Sequence, residues 1–174
     1  MSNQDTVENW YDDYGNAVFT YILMMVGHYQ QAEDLTQETF VKAFRKQEQF
    51  LHQSSTKTWL FSIAQNTTKD YFRKKNPLKH YFDLSLNEKD TQFSPQQLVE
   101  LGEQEAAVFH SLQKLKLSYR QVIVLRMIKE FSTKETSEVL GWSESKVKST
   151  LSRALSEMKN ELVNGGFEYE AIIR

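Results

Sequence analysis

The chain has no cysteine, two prolines and six glycines in 174 residues. Without cysteine there is no disulfide, no thiolate metal site and no thiol nucleophile, and the usage fits a reducing compartment. So little Gly and Pro leaves little turn chemistry, which argues against many short strands and for a mostly helical chain. No apolar run approaches the ~18 residues that cross a bilayer. The opening "MSNQDTVENWYDD" is polar and acidic, the reverse of a secretory signal. These features suit a cytoplasmic protein that is not inserted in a membrane. The four histidines (His28, His52, His80, His110) are scattered, none at ligand spacing to another, and no Gly-rich phosphate loop is present. No catalytic centre, metal site or cofactor is expected, and an enzyme is disfavoured.

What is present is an uneven charge. The formal net charge is -2, yet residues 1–41 carry seven acids and no Lys or Arg, whereas 42–80 carry nine Lys/Arg and two acids. Residues 81–110 return to one Lys against six acids, and 111–164 to ten Lys/Arg against six acids. Two basic blocks alternate with acidic ones, which suggests two polyanion-facing surfaces. The plainer reading of any single block is a solvated helix face.

Apolar residues at steps of three and four predict helices over 6–27, 31–50 and 58–75, with a Ser/Thr-rich loop at 51–57 and a stop at Asn76-Pro77. The period is lost over 77–93, a linker. Ser94-Pro95 reads as the start of a helix reaching Leu115, with Gly102 a weak point. Ser118-x-x-Gln121 and Ser132-x-x-Glu135 both match the capping box, predicting helices over 119–130 and 133–140. Gly141 ends the latter, Ser143 caps the next, and Val147, Leu151, Leu155, Met158 and Leu162 form its buried stripe. The expected fold is all-α: a helical bundle over 1–76, the flexible linker 77–93, a helix-turn-helix domain over 94–165 and a tail, 166–174.

Short helix, glycine turn and longer helix form the arrangement that enters a DNA major groove. Glu144, Lys146, Lys148, Ser149 and Ser152 then face outward near the start of the recognition helix. Ser149 and Glu144 suit base edges, and Lys146, Lys148 and Arg153 suit phosphates. A plain helical hairpin is the bland alternative. In the first domain, "TKTWLFSIAQNTTKDYFRKKN" combines four rings with five cations, the pairing that single-stranded nucleic acid favours. For Trp59 or Tyr71 alone a place in the core is the commoner fate, and Asp70 with Arg73 can be a local pair. Asp34, Gln37 and Glu38 fall at i, i+3 and i+4 on one patch suited to a partner's Arg or Lys.

These segments resemble bacterial RNA polymerase sigma factors of the sigma-70 family, in its extracytoplasmic-function (ECF) group, over about 7–162. "AEDLTQETFVKAFR" is similar to the segment that grips the clamp helices of the polymerase largest subunit, which implies polymerase-binding roles for Asp34, Gln37 and Glu38. "TWLFSIAQNTTKDYFRKK" resembles the helix that reads and opens the minus-ten element, implying contacts from Trp59, Asn66, Asp70, Tyr71, Arg73 and Lys74. The loop before it (Gln53, Ser54, Ser55, Thr56, Lys57) resembles one that captures a base turned out of the non-template strand. The "LKLSYRQVIVLRMIKEFSTKETSEVLGWSESKVKSTLSRAL" segment resembles region four, the reader of the minus-thirty-five element. Ser62 and Gln65 stand where the family commonly has basic residues, and Thr136-Ser137 replaces a more apolar pair. The resemblance implies no catalysis, core RNA polymerase and both duplex and melted promoter DNA as partners, an inhibitory anti-sigma protein of a kind often bound to membranes, and none of the extra domains of housekeeping sigmas. The competing reading is a free-standing helix-turn-helix regulator.

Overall fold

The computed structural model describes residues 3–78 and 102–167. The expected helix start at Ser94, most of the linker and the tail beyond Phe167 lie outside the described residues. The first unit is built from α1 (Asn3–Val26), α2 (Tyr29–Lys46) and α3 (Thr56–Lys75). The second holds α4 (Glu103–Lys114), α5 (Leu117–Ile123), a π-helical turn (Val124–Ile128), α6 (Thr133–Leu140) and α7 (Glu144–Asn164). Among the described residues there is no strand.

Two helix starts in the first unit have a local cause. His28 Nδ1 accepts from the Gln31 N–H at 3.2 Å and caps α2. Ser55 Oγ accepts from the Thr58 N–H at 3.1 Å and caps α3. α3 therefore begins two residues earlier than its apolar period predicts, and Thr56 and Lys57 lie in its first turn rather than in the loop. In α3, Leu60, Phe61, Ala64, Thr67 and Thr68 are buried. Val18, Tyr21, Ile22 and Met25 of α1 and Ala32, Leu35, Phe40 and Ala43 of α2 join them in the core.

In the second unit the capping box at Ser132–Glu135 forms in full. The one expected at Ser118–Gln121 does not: the chain is extended at Lys116, so α5 begins at Leu117 and Ser118 lies inside its first turn. The predicted helix over 119–130 passes into the π-helical turn, where the Lys129 N–H bonds Val124 O at 2.8 Å. Gly141 sits at φ 67°, the left-handed region where glycine carries no Cβ penalty. Along α7 the buried set is Val147, Thr150, Ala154, Met158 and Leu162; Leu151 and Leu155, expected inside, are only half-buried.

Arg120 is fully buried. Its Nε donates to Leu112 O at 2.9 Å and its Nη2 to Gln113 O and Leu115 O, both at 3.0 Å. These carbonyls belong to the end of α4, where helical partners run out. The fork of donors satisfies them at once, which compensates for burying a charge.

The two units share one core. Phe61 of α3 lies 4.8 Å from Phe131 between ring centroids, and Lys57 Nζ stands 5.0 Å over the same Phe131 ring. Gln65 Oε1 accepts from the Tyr21 hydroxyl at 2.8 Å and from Gln121 Nε2 at 3.1 Å. Gln113 Nε2 donates to Met24 O at 2.7 Å, and Arg120 Nη1 to Met25 O. The last two bonds give α1 a C-terminal cap drawn from the second unit.

Candidate functional site

The α2 surface presents Asp34, Gln37 and Glu38 to solvent, as their spacing predicts. Gln30 Nε2 donates to Asp34 Oδ1 at 3.3 Å, and Glu38 pairs with Lys42 at 2.7 Å. Exposed pairs of this kind contribute little stability, so both carboxylates stay available to a partner. The sequence reading missed what surrounds them. Val41 and Phe44 continue the exposed face, 48% and 45% accessible. Beside them a cleft of about 380 Å³ opens between α1 and α2, lined by Tyr11, Asn16, Phe19, Tyr29, Glu33 and Gln37. Val41 and Phe44 break the polar face of α2, and that is the signal that marks them in the sequence.

The α3 surface divides along its length. Its N-terminal part is built around rings: Trp59 is half-buried, stacked on Phe50 at 4.6 Å and edge-on to Trp10 at 5.5 Å. Of the loop residues, Gln53 and Ser55 are exposed and Ser54 half-buried. Ser55 is engaged as the helix cap and donates to Thr58 Oγ1 at 2.9 Å. His52 adopts φ 53°, its ring against Phe50 at 4.3 Å, so the loop is turned by a residue outside the predicted set. Lys57 is half-buried and directed at Phe131 of the second unit. The C-terminal part is open: Asn66, Lys69, Arg73, Lys74 and Lys75 are exposed. Asp70 pairs with Arg73 at 2.7 Å, the local pair that their spacing allows. Three cations in the last turn also complement the negative end of the helix dipole.

The third surface is the start of α7. Ser143 Oγ accepts from the Lys146 N–H at 3.1 Å and fixes where the helix begins. Glu144, Lys146, Lys148, Ser149, Ser152 and Arg153 are all exposed. Lys146 Nζ lies 4.3 Å over the Trp142 ring, a contact the sequence reading did not foresee. Val147 is fully buried and Thr150 nearly so, which anchors this face against α5 and α6. The helix N-terminus and its small and cationic side chains are free to approach a groove.

Among the described residues no group of three or more His, Cys, Asp or Glu is placed to hold a metal. None of their helices is long and apolar enough to cross a membrane. The predicted site residues thus lie on three separate surfaces.

Residues 10–77 match the family model "Sigma-70 region 2", and 105–158 match "Sigma-70, region 4". The chain is 36% identical to RNA polymerase sigma factor YlaC of Bacillus subtilis over 166 residues, 93% of this chain and 95% of that protein. It is 36% identical to ECF RNA polymerase sigma factor SigM of the same organism over 168 residues, 95% of this chain and 99% of that one. In fold it is similar to the sigma factor RpoE of Bartonella quintana, solved with the anti-sigma factor NepR, at TM-score 0.68 and 23% identity, covering 89% of this chain and 95% of that one. A TM-score of 0.68 also relates it to CnrH, solved with the cytosolic domain of CnrY, at 24% identity over 94% of this chain and 91% of CnrH. The chain belongs to the sigma-70 family, in its ECF group, whose members bind core RNA polymerase and direct promoter-specific transcription initiation.

Proposed function

We propose that the three surfaces divide the work of initiation. Asp34, Gln37 and Glu38 on α2 engage cationic side chains on the clamp helices of the polymerase largest subunit, with Val41 and Phe44 supplying apolar contact beside them. Asn66, Arg73 and Lys74 on α3, with Ser54, Thr56 and Lys57 at its start, engage the minus-ten element. Ser55 holds the loop to the helix, and Trp59 backs it with a ring that is only partly open. Glu144, Lys146, Lys148, Ser149 and Arg153 meet the minus-thirty-five element, the lysines and Arg153 at phosphates, Ser149 and Glu144 at base edges. The protein carries no catalytic centre of its own and works in the cytoplasm. An anti-sigma protein, of the kind solved with RpoE of Bartonella quintana, is its inhibitor.

The observation that carries this reading is the exposed acidic patch on α2, a helix other than the two that carry the cationic surfaces. A free-standing regulator has no use for that patch. It also needs tight intrinsic DNA binding, and the modest positive charge of the second unit gives few phosphate contacts.

The test is run-off transcription with purified core polymerase and mapping of start sites, with gel shifts in parallel. The wild-type chain directs initiation at defined sites and shifts promoter DNA only with core enzyme. Charge reversal, Asp34→Lys, weakens association with core by about tenfold, or ~1.4 kcal/mol. Tight, sequence-specific shifts by the chain alone would instead identify a regulator.

A further inference from the structure

Along α2, Asp34, Glu38, Lys42 and Lys46 fall four residues apart and form one stripe, two acids followed by two cations. The acidic half serves polymerase docking; the cationic half has no role there. Lys42 stands at the change of sign. Its Nζ pairs with Glu38 at 2.7 Å and donates across to Thr67 Oγ1 of α3 at 3.3 Å. Thr67 is buried, and the residue before it is exposed Asn66, assigned above to the minus-ten element. One ammonium thus touches both a carboxylate of the polymerase surface and the helix of the DNA surface.

Local helix chemistry accounts for part of this. A pair four residues apart supports the helix, and Arg45 and Lys46 in the last turn complement its dipole. Neither effect explains why Lys42 reaches over to α3. Arg45 and Lys46 are exposed three and four residues beyond it, so the face that Lys42 opens is cationic. The pair with Glu38 is exposed enough to be weak, and a polymerase cation that binds Glu38 displaces Lys42 at little cost. A lysine ammonium is a point charge on a flexible four-carbon stem with three donors. Once displaced, it keeps Thr67 as one acceptor and has donors left for a phosphate oxygen beside Asn66.

We propose that Lys42 is a further phosphate contact for promoter DNA, held by Glu38 in the free chain and handed to the DNA backbone when polymerase takes Glu38. Arg45 and Lys46 extend the contact along the same face. This rests on the polymerase-binding and minus-ten readings above. Coupling between two sites is reciprocal, so DNA bound at Lys42 leaves Glu38 freer for polymerase.

The test has two arms. In the first, holoenzyme made with each variant binds a mapped promoter in a filter-binding salt series. Lys42→Met is expected to reduce the slope of log K against log salt by about 0.7 to 0.9, the value for one phosphate on single- or double-stranded DNA. Lys42→Arg restores the slope, and Lys42→Met does not weaken association with core. An unchanged slope in Lys42→Met, with or without a loss of affinity, overturns the proposal, as does a slope that Lys42→Arg leaves reduced. The second arm needs no polymerase: the free chain is titrated with a fluorescent oligothymidylate at low salt and read by anisotropy. Glu38→Gln releases Lys42 and is expected to tighten binding about threefold, as one added phosphate contact would. In the Lys42→Met background the same change gives no gain. A gain that persists there shows that the charge at 38 acts on DNA at large, and overturns the proposal. If the wild-type chain forms no complex with core, the polymerase reading falls and the hand-over with it. A complex that forms while the second arm shows no Lys42-dependent gain sinks the hand-over alone.

Discussion

At the scale of single residues, the start of α7 separates two lysines that look alike in sequence. Lys148 is exposed, whereas Lys146 lies over the Trp142 ring at 4.3 Å. A cation at an exposed ring gains about 0.5–1 kcal/mol, which Lys146 gives up if it moves to a phosphate. Lys148 starts without that contact. Lys148→Ala is therefore expected to weaken holoenzyme binding to a mapped promoter and to reduce the slope of log K against log salt by about 0.9. Lys146→Ala changes affinity less. A filter-binding salt series on both variants checks this, and equal losses would remove the role given to Trp142. Periodicity cannot find the pairing, because Trp142 belongs to the turn and Lys146 to the helix.

At the scale of elements, α6 begins at a reciprocal cap whose energy can be measured. Ser132 Oγ accepts from the Glu135 N–H at 3.1 Å, and Glu135 accepts from the Ser132 N–H at 2.7 Å. The backbone bond from Ser132, followed by its side chain and the charge of Lys57, holds the Glu135 carboxyl below the ordinary carboxylate range. A carboxyl lowered on folding adds stability above its unfolded value and loses it as pH falls through the folded one. Ser132→Ala is expected to cost about 1 kcal/mol near neutral pH, within the usual 0.5–2 range, in a urea melt. That difference should narrow on acidification. The cap also shows what the sequence could reveal. Ser132–Glu135 and Ser118–Gln121 share one pattern, yet only the former forms, because buried Leu115 and half-buried Leu117 set where the chain turns into α5. Helix order, the glycine turn and the exposed acids of α2 follow from local chemistry and were legible. Burial of Arg120 was not, since it depends on carbonyls at the ends of two other helices. Gln65, where the family commonly has a basic residue, is explained only by the hydroxyl of Tyr21 and the amide of Gln121.

At the scale of the molecule, the contact between units contains a titratable group. Lys129 donates to Thr20 Oγ1 across the contact. Burial, and then the nearby charge of Lys57, pushes its pKa down from 10.5 to about 8. A lysine lowered in the folded chain holds its proton less firmly there than in the unfolded chain, so folding releases protons and is favoured as pH rises. Below about 8 the folded chain carries a desolvated ammonium near Lys57, and this contribution to stability is at its weakest. Between about 8 and 10.5 the folded chain is neutral at this position while the unfolded chain is still charged, and stability rises across that window. The urea midpoint of the chain, followed by circular dichroism, is therefore expected to rise from pH 8 to pH 10. Lys129→Met removes the rise, since no proton is then exchanged. Lys57→Met shifts its onset upward, because Lys129 then loses the nearby repulsion and keeps its proton longer. A midpoint that is flat with pH in the wild type, or a rise that survives Lys129→Met, would show that this amine does not sit between the two units in solution.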